Sequence, residues 1–235
     1  MNTKTDFLRR LKNQRDTFHQ DLLYRFLNPP ERDLVKSIFK GFHIYESNPT
    51  AEYARVIVSD AVLEPNFKTT LLCSSYRDEQ LTHRDVLGAL MHLGIERDTF
   101  GDIYISETHI YIEVLSELIQ VFKDLHQIKQ DFIYFEPIDA FPSEFKERSE
   151  SITLFLDSLR VDALVAKAFN IQREDVKGLI DQEKVKINYF PIQKYTILVK
   201  PYDIISVRGF GRIILTDDIG TSKSQKIRIK CELLR

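Results

Sequence analysis

The pattern of apolar residues predicts an α+β protein in three consecutive parts. A small N-terminal α+β unit covers residues 1–66, a central βαββαβ domain 67–148, and a second helix-and-sheet domain 152–235. Three observations carry this reading. Helical spacing and strict alternation both occur, in short segments, so neither class dominates. Proline and glycine punctuate the chain between those segments. Charge is divided unevenly: residues 152–235 hold 15 Lys and Arg against 10 Asp and Glu, leaving 18 against 25 upstream, although the whole chain is only −2. An acidic body followed by a basic module is the asymmetry expected when one module meets a polyanion.

A chain of 235 residues is long enough for two or three small domains. Its 43% hydrophobic and 29% charged residues are ordinary for a folded soluble protein. No apolar run approaches the ~20 residues that span a bilayer. The polar, Arg-rich start has no apolar signal core, so membrane insertion is not expected and the cytoplasm is. Cys73 and Cys231 lie far apart and are expected as free thiols in a reducing compartment.

The elements follow in order. Phe7, Leu8, Leu11, Phe18, Leu22, Leu23, Phe26 and Leu27 recur near the 3.6-residue period, predicting a helix over 4–28 that Asn28-Pro29-Pro30 stops. A shorter helix runs from Glu31 to Lys40 and ends at Gly41. Phe42–Glu46 and Ala54–Val58 read as strands around Ser47-Asn48-Pro49. From Lys68 come a strand (69–75), a helix (84–93), a hairpin (102–106 with 109–114), a helix (115–126) and a strand (131–135). That order is the split arrangement of ferredoxin-like and RNA-recognition folds. Tyr104, Tyr111, Phe132, Tyr134 and Phe135 are its candidate stacking aromatics, with core packing the stronger reading. The stretch 137–151, with two prolines and a charged run, reads as a link.

In the last part, Leu159–Phe169 is a helix with an apolar face, and Arg173–Gln182 a second one. Arg173 and Lys177 are four apart and share its exposed face. Lys184 and Lys186 lie together on an alternating strand, opposite Val185 and Ile187. Lys200-Pro-Tyr-Asp203 is a turn before the strand 204–208, and Arg208-Gly-Phe-Gly-Arg212 follows. Two helices and a basic strand present cations at fixed spacing against a phosphate backbone.

That order resembles the S4 RNA-binding domain, whose pattern runs Arg-Leu-Asp, a Ser-Arg helix start, a glycine before the strand, Val-Asn-Gly and a Pro-Gly-Asp turn. Here these are Arg160-Val-Asp162, Gln172-Arg173, Glu183, Val185-Lys-Ile-Asn188-Tyr189 and Pro201-Tyr-Asp203. Tyr189 in place of glycine predicts that a tight two-residue hairpin is excluded, because Tyr resists positive φ. The chain as a whole is similar to the bacterial YlmH-type family of S4 proteins. Phe26-Leu-Asn-Pro-Pro-Glu31, Thr82-His-Arg-Asp-Val-Leu-Gly-Ala-Leu-Met-His-Leu-Gly94, Phe100-Gly-Asp-Ile103 and Val207-Arg-Gly-Phe-Gly-Arg212 carry that resemblance. It implies a non-catalytic RNA-binding protein of the ribosome, acting on stalled large-subunit complexes in translation quality control. The implied partners are ribosomal RNA, tRNA and the large subunit, with division or translation factors beside them.

The expected RNA contacts are Arg160, Lys167, Gln172, Arg173, Lys177, Lys184, Lys186, Asn188, Arg208, Phe210 and Arg212, together with Arg84 at the start of a central helix. For Phe210, stacking on a base and burial in the core remain open.

No catalytic residue, metal or cofactor is expected. His83-Arg84-Asp85 mimics a kinase loop, but Leu90 stands where a metal-ligating Asn is needed. Gly209-Phe-Gly211 lacks a third glycine and a following helix, so it is no dinucleotide site. Pseudouridine synthases and tyrosyl-tRNA synthetases carry S4 modules too, but the signatures and length of their catalytic domains are missing. Two further readings stand beside RNA binding: a division-associated protein-interaction factor and an RNA-modifying enzyme.

Overall fold

The computed structural model describes residues 3–77, 81–143, 149–221 and 225–234. The architecture is α+β. Two compact units are formed, Met1–Leu81 with Asp85–Lys146, and Thr82–Arg84 with Glu147–Arg235.

In the first unit, helix α1 (Thr3–Asp16) buries Phe7 and Leu11. It is shorter than the expected 4–28. The apolar residues after it serve strand β1 (Leu22–Leu23) instead, since short apolar runs fit either period. Helix α2 (Pro29–Ile38) begins at the prolines expected to stop a preceding helix. Asn28 caps it, accepting from the Glu31 amide at 3.1 Å while Glu31 accepts from the Asn28 amide at 3.0 Å. Proline fits the first turn because no intrahelical donor is needed there. Strands β2 (His43–Glu46) and β3 (Val56–Ser59) complete an antiparallel sheet of order β1-β3-β2 over a core of Phe39, Val35, Val56 and Val58.

The next elements are β4 (Thr69–Ser75), α3 (His83–His92), β5 (Phe100–Ile105), β6 (His109–Leu115), α4 (Ile119–Lys123), a small hairpin of β7 (Gln127–Ile128) and β8 (Asp131–Phe132), and β9 (Glu136–Ile138). The sheet order is β5-β6-β4-β9 with every neighbour antiparallel, the split βαββαβ arrangement. Val86, Leu90 and Phe122 from the helices pack with Leu72, Ile103 and Ile112. Two details differ from expectation. Leu115 belongs to β6, opposite Thr69, so the following helix is short. The closing strand is Glu136–Ile138 rather than 131–135. Pro137 sits in it opposite Leu72, tolerated because β9 is an edge strand.

The boundary expected between residues 66 and 67 falls inside this first unit. The Asp102 carboxylate accepts from the Glu52 and Tyr53 amides at 2.7 and 3.0 Å. The buried Arg55 donates to the Tyr24 carbonyl at 2.9 Å and to the Phe67 carbonyl. Buried polar groups so satisfied tie the two sheets' connecting segments together.

The second unit opens with β10 (Glu150–Leu156), which falls partly in the expected link. Ile152, Leu154 and Leu156 alternate inward, and the strand pairs along its whole length with the last one. Helices α5 (Val161–Phe169) and α6 (Arg173–Asp181) follow, then β11 (Val185–Ile187), β12 (Phe190–Pro191), β13 (Ile204–Val207), β14 (Gly211–Thr221) and β15 (Ile227–Leu234). They form one antiparallel sheet, β10-β15-β14-β13-β11-β12. Leu164, Val165, Val176 and Ile180 pack on Ile205, Ile213, Leu215 and Ile229.

One expectation is overturned here. Ile187 pairs with Phe190, so only Asn188 and Tyr189 form the loop, with φ of 48° and 73°. Two positive φ values in a two-residue hairpin define a type I′ turn. Tyr189 therefore adopts the conformation that its Cβ disfavours, because strand pairing on both sides over-determines the turn.

Cys73 and Cys231 are both free, Cys231 being fully buried, where burial pushes its thiol up to about 11. Among the described residues no helix is long and apolar enough to cross a membrane, and no cluster of potential metal ligands occurs.

Candidate nucleic-acid interface

The centre of the candidate site is a buried carboxylate. Asp162, in the first turn of α5, is 1% exposed. Its Oδ1 accepts from the Ala163 amide at 2.9 Å and from Arg160 Nε at 3.0 Å. Its Oδ2 accepts from Arg160 Nη2 and Arg173 Nη2, both at 2.9 Å. Burial opposes ionisation of this carboxyl, but the hydrogen bonds and charges of the two guanidiniums outweigh it and hold the group below the usual aspartate value. Two cations on one anion leave a net positive charge. Arg173 is half exposed and spends a single donor on Asp162, so the rest of its planar fork faces outward.

Arg160 sits just before α5, where the Val161 amide donates to the Ile197 carbonyl and the Val199 amide to the Leu159 carbonyl, both at 2.9 Å. That lays the 192–199 loop along the start of α5. Tyr195 is thereby brought beneath Lys177, whose ammonium lies 5.4 Å from the ring centroid. Lys177 also bonds Glu174 at 2.7 Å, and that bond raises its pKa. Nothing in the sequence pattern marked Tyr195, because a loop residue carries no periodicity.

The other expected residues take these places. Gln172 is the N-terminal flanking residue of α6, exposed and making no side-chain cap. Lys167 is exposed on α5. Lys186 projects from β11 between buried Val185 and half-buried Ile187, and Lys184 precedes it, its carbonyl accepting from the Arg208 amide at 2.8 Å. Arg208 and Phe210 stand in the β13–β14 hairpin loop, where Gly209 and Gly211 have φ of 91° and 127°. The Phe210 ring is 37% exposed and lies 5.6 Å from that of Phe169, so one side packs and the other is open. Arg212 is half-buried in β14 opposite Ser206. Asn188 turns inward on its own loop, donating to Asp203 Oδ1 at 2.8 Å and accepting from the Ile204 amide at 2.9 Å.

Arg84 is exposed in the first turn of α3. Of the central aromatics, Tyr111 and Phe135 are buried, while Phe132 and Tyr134 are 68% and 64% exposed. Tyr104 and Tyr111 pair across β5 and β6, and Phe141 covers both at 5.2 and 5.4 Å. A cleft of about 340 Å³ beside them is lined by Asp102, Glu113 and Asp139. Its carboxylates give it the wrong sign for phosphate.

A βαββαβ domain joined in one chain to a two-helix, six-stranded unit with an arginine-clamped aspartate defines the class of protein. The chain is similar to known proteins in three respects. Residues 64–140 match a family model described as "Putative RNA-binding domain in YlmH". A Bacillus subtilis (strain 168) protein named "Ribosome-associated protein quality control protein P2" is 29% identical over 222 residues, spanning 88% of this chain and 85% of that one. A solved structure, "Cell division protein ylmH from Streptococcus pneumoniae", superposes with a TM-score of 0.51 at 25% identity, over 59% of this chain and 92% of the other. The chain is thus similar to YlmH-type proteins, and residues 64–140 carry the matched domain.

Proposed function

We propose that this protein is a non-catalytic RNA-binding factor of the cytoplasm that works at the ribosome, contacting ribosomal RNA and tRNA on large-subunit complexes stalled in translation. The observation that carries this reading is the Asp162 clamp. A buried carboxylate orients Arg160 and Arg173 at the junction of two helices, beside Lys177 and the Lys184–Lys186 strand. Preorganised guanidinium forks favour planar, bidentate phosphate contacts at small cost in side-chain entropy. The S4-like order of these residues supports RNA as the polyanion. The family description of residues 64–140 and the name of the Bacillus relative support the ribosomal setting.

The test is RNA affinity across a salt series. With Arg173 and Lys177 both changed to Gln, the slope of log affinity against log salt becomes shallower by about 1–2 units. The single Arg173→Lys variant keeps the charge and the slope. An unchanged slope in a folded double variant overturns the assignment. The name of the streptococcal relative supports a second reading, a protein-interaction factor in division. That reading predicts no steep salt dependence on RNA at all, because counterion release needs a polyphosphate.

A further inference from the structure

Several positions of the second unit occupy left-handed backbone with side chains that disfavour it, and three of them stand at motif positions. Glu183, Tyr189 and Tyr202 have φ of 54°, 73° and 67°. At all three the S4 pattern has glycine, the residue that adopts this region without strain. Such strain persists only where the surrounding structure over-determines it, and it clusters at functional positions. Glu183 ends a helix with its side chain in solvent and points to nothing further. The two tyrosines differ, because they stand together.

Lys200-Pro201-Tyr202-Asp203 is a type II turn, closed by the Asp203 amide on the Lys200 carbonyl at 3.1 Å, with Tyr202 at its third position. The Asp203 carboxylate accepts from the Lys200 amide and from the Asn188 side chain, both at 2.8 Å. The Asn188-Tyr189 turn is thus bolted to the Tyr202 turn. The Tyr202 ring is 69% exposed, yet its hydroxyl is anchored, donating to Asp217 at 2.8 Å. An aromatic face held rigid in solvent has lost its rotamer freedom before any ligand arrives. Exposed Lys200 opens the same turn, two positions before the ring.

We propose that Tyr202, supported by Tyr189 of the adjoining turn, is a stacking platform for an unpaired nucleobase of the bound RNA. Cations hold the phosphates, and the fixed ring takes a base that is free of its own helix. Every base has a π-face, so the platform reads single-strandedness and not sequence. This inference rests on the RNA-binding reading above and adds to it the kind of RNA that is taken.

The experiment uses the full chain and two RNAs, a stem-loop with 2-aminopurine in its unpaired loop and the same stem closed as a continuous duplex. The intact protein binds the stem-loop at least ~5-fold more tightly than the duplex and quenches the probe, the lower end of what stacking one base supplies. Tyr202→Gly raises the melting temperature, because strain is released, and abolishes both the preference and the quenching. Tyr202→Phe keeps the ring but frees it from Asp217, so it retains quenching with a preference between those of the intact protein and Tyr202→Gly. A Tyr202→Gly protein that is more stable and retains the preference overturns the platform while leaving phosphate binding intact. Failure of the unaltered chain to bind either RNA overturns the RNA-binding reading itself, and the platform with it.

Discussion

Arg173 donates to Asp162 Oδ2 at 2.9 Å across eleven positions of sequence, from the first turn of one helix to the first turn of the one before it. Arg160 closes on the same carboxylate from the other side. Asp162 is thus the counter-ion that sets the angle between the helices and the direction of two cations.

Asp162→Ala removes that counter-ion and leaves two guanidiniums facing each other. The expected loss is ~2–3 kcal/mol in urea unfolding, the size of a charged hydrogen-bond group. It is smaller than for a fully buried pair, because Arg173 stays hydrated. RNA affinity of the folded fraction falls with it, since both forks lose their orientation.

The same carboxylate predicts acid lability. Its pKa is depressed on folding, so the clamp stabilises the fold above the unfolded value of about 3.9 and that stability is lost as pH falls through the folded value. An acid titration of unfolding free energy is expected to be flatter for Asp162→Asn. Equal slopes for both proteins count against the clamp.

Glu113 predicts the opposite sign. Burial raises its carboxyl, with Asp102 adding to the rise, while the Thr69 hydrogen bond and the Arg55 charge offset part of it. A raised folded value means that stability is fully present below about pH 4.3 and declines as pH climbs through the folded value. Glu113→Gln therefore melts at a higher temperature than the unaltered chain at neutral pH, and the gain vanishes in acid.

Glu183 ends α6 in a Schellman motif: its amide donates to the Ile180 carbonyl and the Lys184 amide to the Leu179 carbonyl, both at 2.9 Å. Glycine at this left-handed position keeps both bonds and removes the Cβ conflict. Glu183→Gly is expected to stabilise the chain by about 1 kcal/mol in thermal or urea unfolding, with RNA affinity unchanged.

Phe210 has one side against Phe169 and the other open. Phe210→Ala is expected to cost about 1–2 kcal/mol, below the range for fully buried phenylalanine, because a third of the ring stays in water. A further drop in RNA affinity per folded molecule identifies the open side as a contact, and its absence assigns the ring to packing alone.

The helices at 161–169 and 173–181, the alternating basic strand after them and the βαββαβ order were all legible in the chain, because local apolar periodicity writes each of them directly. The S4-like motif likewise singled out Arg160 and Arg173 as expected contacts, but not the Asp162 carboxylate that joins them. Three features were decided only by long-range contact. Residues 22–23 became a strand because β3 offered an open edge, and residues 150–156 because β15 did. Asn188 and Tyr189 took a type I′ turn because Ile187 and Phe190 pair on either side, and pairing outweighs the residue preference of a two-residue loop. The aromatic surface at Tyr195 and Tyr202 was equally invisible beforehand, since its members come from loops placed by the sheet. Sequence determined which segments are helix and strand and where the positive charge gathers; tertiary structure decided which backbone is strained and which rings face water, because those depend on partners remote in the chain.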